Sequence, residues 1–276
     1  MRKFLLGIVG LMFFVVPATA QTADEIVAKY VAKIGGMEKI QAIKSMRQTG
    51  KFSGGGGFEA VIVNENKRPN KARQEFSLQG MTVVDAYDGQ TGWKIEPFQG
   101  KKDPESLSED EMKAMIDDAN FDDSLINYQA RGNKVEYVGI DQVDGTDAFK
   151  LKVTLPSGTV KTYYMDTDYY VPIKIETKRM IRGAEVETET VLGDYKEVNG
   201  VYYPYSFETG AKGSQNKAKI TIEKIEANVP LDDARFVRPA VKSAAQPTKT
   251  PEDTDVPKTK DKKTEPSTAG KPPVRK

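Results

Sequence analysis

The sequence predicts a mainly β fold with helices (α+β): a curved antiparallel sheet with one apolar face, covered by an N-terminal helix and an internal helix. Three observations carry this. Between Phe58 and Ala227 apolar residues recur at alternate positions, the period of a half-buried strand. Glycine-containing turn pairs separate these runs. Two segments break the alternation with helix-start signatures of their own.

The first helix opens at Thr22-Ala-Asp-Glu25, a capping-box spacing in which threonine and glutamate each satisfy a free backbone N–H. Ile26, Val27, Tyr30, Val31 and Ile34 then share one face until Gly35-Gly36 stops the helix. A short second helix runs through Met37, Ile40 and Ile43. From there the period is two. Phe76 and Leu78, Met81 and Val83, Trp93 and Ile95, and Phe149, Leu151, Val153 and Leu155 each stand on one side of a strand. Asp88-Gly89, Asp144-Gly145, Ser157-Gly158 and Asn199-Gly200 fall between such runs, as hairpin loops require, so successive strands form an antiparallel meander. Ser108-Glu-Asp-Glu111 is a second capping box. Met112, Met115, Ile116 and Ala119 follow at i, i+3, i+4 and i+7, and that stripe is expected to lie on the apolar face of the sheet.

The chain ends differ in kind from this middle. Arg2 and Lys3, an apolar run from Phe4 to Val16 and the Ala18-Thr-Ala20 pattern read as a secretory signal peptide over 1–20. The run is too short for a spanning helix, and the small-residue end suits cleavage. The chain has no cysteine, hence no thioether site for a lipid anchor, and the expectation is an exported, soluble, periplasmic protein with its folded domain over 21–239. Residues 240–276 hold Pro, Lys, Thr, Ser and Asp with three valines as their large aliphatics, too little apolar surface to offset the entropy of ordering. This tail carries nine basic against five acidic residues, while the rest of the mature chain carries 30 against 35. Nucleic acid is therefore not an expected partner. The basic tail reads as a spacer that could touch an anionic envelope surface.

Chemistry is constrained by the absence of histidine and cysteine, which removes the usual serine triads, thiol nucleophiles and common zinc sets. Paired carboxylates remain at Asp117-Asp118, Asp122-Asp123 and Asp166-Thr-Asp168. The first two read as a polar helix end and its loop, the third as a hairpin tip with side-chain to backbone bonds. A calcium loop over 117–123 lacks the central glycine and terminal glutamate of the twelve-residue pattern. Gly54 to Gly57 has no following Gly-Lys-Ser/Thr and reads as a hairpin loop or bulge. No catalytic residue, metal or cofactor is assigned.

Several stretches are similar, in order, to bacterial outer-membrane lipoprotein-sorting proteins of the periplasmic lipoprotein carrier (LolA-like) group. They are Asp24 to Lys51, Met81 to Trp93 with its Ala-Tyr-Asp-Gly-Gln-Thr-Gly-Trp run, Leu107 to Met115, Val143-Asp-Gly-Thr-Asp147 into Lys150-Leu-Lys-Val153, Val171-Pro-Ile-Lys174, and Asn228 to Phe236. The resemblance implies an unclosed antiparallel β-barrel of about eleven strands with helices as a lid and an apolar cavity for the acyl chains of a lipoprotein or membrane lipid. It also implies an inner-membrane exporter and an outer-membrane acceptor as partners. Related folds serve as envelope-stress sensors, and an envelope-stress sensor or protein-interaction scaffold on the same fold stands as the alternative reading, with a carboxylate hydrolase behind it. In the carriers a strand arginine secures the lid; Arg73 and Arg131 are the residues to consider, and no motif assigns the role to either. The expected cavity lining is Phe76, Leu78, Met81, Val83, Trp93, Ile95, Met112, Met115, Ile116, Phe149, Leu151 and Val153.

Overall fold

The computed structural model describes residues 21–240, so the signal-peptide and tail readings lie outside the described residues. Both capping boxes form. Thr22 and Glu25 open α1 (Ala23–Lys33), and Ser108 and Glu111 open α3 (Glu109–Ala119). Between α1 and the short α2 (Met37–Ala42), Gly35 adopts a positive φ and lies against the tip of a later hairpin; a Cβ there would sit 2.2 Å from the Gly200 carbonyl oxygen. Only glycine fits that approach.

The strands make one antiparallel sheet. They are β1 (Ser45–Ser53), β2 (Glu59–Lys67), β3 (Lys71–Leu78), β4 (Met81–Tyr87), β5 (Gly92–Glu96), β6 (Lys101–Ser106), β7 (Lys134–Val143), β8 (Thr146–Thr154), β9 (Val160–Asp166), β10 (Pro172–Ile181), β11 (Ala184–Val198), β12 (Val201–Ala211) and β13 (Ala218–Ala227). Their order is β6-β5-β4-β3-β2-β1-β13-β12-β11-β10-β9-β8-β7, with no pairing between β6 and β7. The sheet is unclosed, as expected. It has thirteen strands rather than about eleven, because the ladder continues through a strand on either side of α3: β6 pairs with β5, and β7 with β8.

Residues directly opposite in a ladder share a face, so the register separates the two sides of the sheet. Helices α1 and α2 bury Ile26, Val27, Tyr30, Ile34 and Ile40 against Phe149, Leu151, Val153, Tyr163, Met165, Val201, Ile222 and Ile225. This is the inner face and the main core. The outer face of β1–β6 is crossed by the segment after β13, where Leu231 and Phe236 are buried. Arg235 meets Glu65 at 2.6 Å, Lys67 and Lys71 hold Asp233 at 2.7 and 2.9 Å, and Arg238 donates to Ser106 at 3.1 Å. The C-terminal segment is thus a strap across the back of that half of the sheet.

Candidate functional site

The inner face of β1–β5 changes character rung by rung. The first rung is Met46, Asn66, Ala72, Tyr87 and Gly92, each opposite the next. Helix α3 sits on it: Met115 and Ala119 are buried with Ala72 and Tyr87, and Met112 packs alongside. Gly92 makes room, since a Cβ there would meet Leu107 at 2.6 Å and Met112 at 3.1 Å. Two residues along, the next rung is Gln48, Asn64, Gln74, Asp85 and Lys94. Beyond it Ile62, Phe76 and Val83 are opposite one another, followed by the Leu78–Met81 pair. Phe52 lies edge-on to Phe76 at 5.4 Å and stacked with Phe58 at 5.8 Å; Ile220 faces Phe52, and Phe207 faces Ile220. The result is an apolar strip, half-buried along most of its length, in which Phe58 and Met81 are 40% and 38% exposed.

Helix α3 bridges opposite parts of the sheet. Glu111 meets Lys94 of β5 at 2.8 Å and Arg182, at the β10–β11 turn, at 2.7 Å. Asp110 accepts from the Gly183 N–H at 2.7 Å, Asp118 pairs with Arg179 at 3.0 Å, and Asp117 accepts from the hydroxyls of Ser157 and Thr159 at 2.7 and 2.6 Å. Burial works to raise the Glu111 carboxyl, but hydrogen bonds from Lys94, Ser108 and Arg182 outweigh it and hold the group at about 2. Each acidic residue between 117 and 123 therefore has a structural partner: Asp122 takes two bonds from Arg68, and Asp123 accepts from the Tyr163 hydroxyl at 2.8 Å. Asp166 accepts from the N–H groups of Asp168 and Tyr169, the turn-tip pattern read from the sequence.

Beneath α3 and the segment after it lies a cavity of about 250 Å³. Its walls include Tyr30, Met46, Gln48, Asn66, Asp122, Asp123, Ile175, Leu192, Tyr195 and Tyr203. Burial, reinforced by Asp123, pushes the Tyr30 and Tyr195 hydroxyls upward, and burial with Asp122 does the same at Tyr203, so these groups stay protonated donors. Arg68 fixes the wall residue Asp122 in place. It donates to both Asp122 oxygens at 2.5 and 2.6 Å and to the Ile43 and Ile40 carbonyls at 2.7 and 3.0 Å, with its guanidinium 4.3 Å from the Phe121 ring centre.

The expected lining residues are placed as follows. Phe76, Leu78, Met81 and Val83 lie together on the inner apolar strip. Phe149, Leu151 and Val153 are buried in the main core under α1. Met112 and Met115 pack α3 onto the sheet, whereas Ile116 is 41% exposed on the helix flank, beside Leu155, Pro156 and Ser157. Trp93 and Ile95 require a correction. Trp93 pairs with Ala86 and Ile95 with Val84, which puts both on the outer face, because the β4–β5 register sets Lys94 and not Trp93 opposite Asp85. Trp93 is 1% exposed, donates to the Phe236 carbonyl at 2.8 Å, and has the Arg73 guanidinium 5.4 Å from its ring centre. Arg73, on β3, accordingly holds the strap, donating to the Arg235 carbonyl at 3.0 Å. Arg131 holds the carbonyls of Asp122 and Asp123 at 3.1 and 2.7 Å. Arg68, which fixes the segment after α3 to α2, carried no sequence signal beyond standing before Pro69.

No protein-family model matches the sequence, and no curated protein matches it. Solved structures do share the fold. An outer membrane lipoprotein-sorting protein domain from Vibrio parahaemolyticus is 12% identical, with a TM-score of 0.52 over 77% of this chain and 94% of that one. A LolA superfamily protein from Nitrosomonas europaea is 14% identical, with a TM-score of 0.53 over 79% and 98%. A DUF1329 family protein from Desulfovibrio piger is 10% identical, with a TM-score of 0.54 over 79% and 98%. At these identities the likeness is one of fold.

Proposed function

We propose, for a chain that carries the LolA-like fold, that it binds the acyl chains of lipids or lipoproteins and carries them through the periplasm without catalysis. The observation that supports this best is the apolar strip: Phe52, Phe76, Leu78, Met81 and Val83 lie on the inner face of an unclosed sheet, next to a bridging helix and not under it. An apolar surface left partly open inside a fold is a binding surface by default. Each buried methylene is worth about 0.8 kcal/mol, so a sixteen-carbon chain laid along the strip and under α3 would gain on the order of 10 kcal/mol before ordering costs. The 250 Å³ cavity falls below the roughly 300–1,000 Å³ of small-molecule sites, so a chain that enters it must displace α3, which acts as the lid. Release would then be transfer to a more apolar site on an acceptor.

The test is native mass spectrometry and lipid extraction on protein purified from a bacterial periplasm. Stoichiometric acyl species are expected, and Met81→Glu together with Val83→Glu should remove them while the protein stays folded. An unliganded mass that persists after addition of a diacyl lipopeptide and of a phospholipid would overturn the proposal.

A further inference from the structure

The strip has a polar border that acyl chains do not explain. Gln48, Asn64, Gln74, Asp85 and Lys94 occupy one rung across five adjacent strands, a row roughly 19 Å long at the usual strand spacing. It lies between α3 and the Ile62–Phe76–Val83 rung. Lys94 is engaged by Glu96 and Glu111, and Gln48 makes a 3.4 Å contact to the Met46 sulfur. Among the described residues, the side chains of Asn64, Gln74 and Asp85 take part in no hydrogen bond or ion pair; Gln74 is exposed and the other two half-buried. Asn66 and Gln48 carry the same chemistry into the wall of the cavity beneath α3.

A hydrocarbon laid over this row would strip water from carboxamides and a carboxylate and offer nothing in return, a cost charged to every such group. A carboxamide presents two N–H donors and an acceptor oxygen, while an ionised carboxylate only accepts. Asn64 and Gln74 therefore suit a group with both donors and acceptors, and Asp85 demands a donor. Ester oxygens bring acceptors alone, and a phosphocholine adds a quaternary ammonium that carries charge but no N–H or O–H, so neither gives Asp85 a hydrogen bond.

From this we infer that the row is a head-group subsite, which receives a neutral head bearing both hydrogen-bond donors and acceptors, either hydroxyls or amides, while the ligand's acyl chain lies on the Phe76–Val83 side. The inference rests on the acyl-binding reading above and narrows its ligand class. The source of the head is a glycolipid or an acylated peptide, and the two share this chemistry.

Three probes with the same twelve-carbon chain separate the possibilities: dodecyl maltoside, N-dodecanoyl-dialanine amide and dodecylphosphocholine, titrated below their micelle concentrations by isothermal calorimetry. The maltoside or the dialanine amide, or both, should bind about tenfold or more tighter than the phosphocholine, and the tighter of the two names the source. Gln74→Leu, at an exposed position that leaves the fold intact, and Asp85→Leu should each weaken the preferred probe about tenfold and leave the phosphocholine within about twofold, the range expected for losing one or two hydrogen bonds. Equal binding of all three probes, a preference for phosphocholine, or a preference that survives both substitutions would overturn the subsite and leave acyl binding standing. Failure of every probe to bind would overturn the acyl-binding reading, and the subsite with it.

Discussion

Arg68 and Trp93 are large side chains fixed at their tips, and each implies a measurable outcome. The Arg68 guanidinium and the Asp122 carboxylate are both mostly buried, 21% and 16% exposed. Removing the cation leaves a desolvated carboxylate and two carbonyls without their donor, a loss in the range of about 3 kcal/mol. Arg68→Met should lower the urea midpoint accordingly, and Arg68→Met with Asp122→Asn should recover part of it. Trp93 sits on the outer face against Phe236, so its fluorescence should follow detachment of the strap and stay unchanged when an acyl ligand binds. A ligand-dependent shift in its emission would contradict that placement. Neither environment was legible beforehand. Alternation along Gly92–Glu96 announces a strand, but which of its sides turns inward is set by the register across the Asp88–Thr91 turn, where the Asp88 carboxylate accepts from two backbone N–H groups. Arg68 acts through residues far away in the chain, and no local pattern encodes that.

Elements whose signals are local were the readable ones. Two capping boxes and their apolar stripes located α1 and α3, and Asn199-Gly200 and Asp144-Gly145 adopt the paired positive φ angles of tight hairpins. Gln79-Gly80 and Arg182-Gly183 do the same with a less telling first residue. What α3 fastens to was not readable, and its fastening is expected to depend on pH. The Glu111 carboxyl stands at about 2 with the lid closed against an ordinary 4.5. A depressed acid contributes stability above its ordinary value and loses it as pH falls toward the lowered one. Hydrogen-exchange protection of Met112–Ala119, relative to β1, should therefore hold from neutral pH to about 5 and decline between about 4.5 and 2. Glu111→Gln should show the reduced protection already at pH 7, with a flatter pH profile. Unchanged protection in that variant would mean that the contacts of Asp110, Asp117 and Asp118 hold the helix without Glu111.

At the scale of the molecule, β1–β5 carry a load on each face: the strip, polar row and lid within, the C-terminal strap without. Leu231 and Phe236 are 5% and 0% exposed, and burying such side chains is worth roughly 1.5–3 kcal/mol each. Ending the chain after Ala227 should thus cost at least about 3–6 kcal/mol in urea unfolding, with the loss greatest in β2–β5, whose Glu65 would keep Arg47 but lose Arg235. Ending it after Ala240 should leave the midpoint in place. The strand order has a further result, in time rather than in space. The first strand finds its second neighbour in the last, β13, so the two wings of the sheet stay unjoined until the chain is nearly complete. Pairing across so much sequence is entropically late, and folds rich in such contacts form slowly. Until β13 arrives, β1 offers an open edge to any passing strand, and the interval between synthesis and that final zipping is when this protein is most exposed to aggregation.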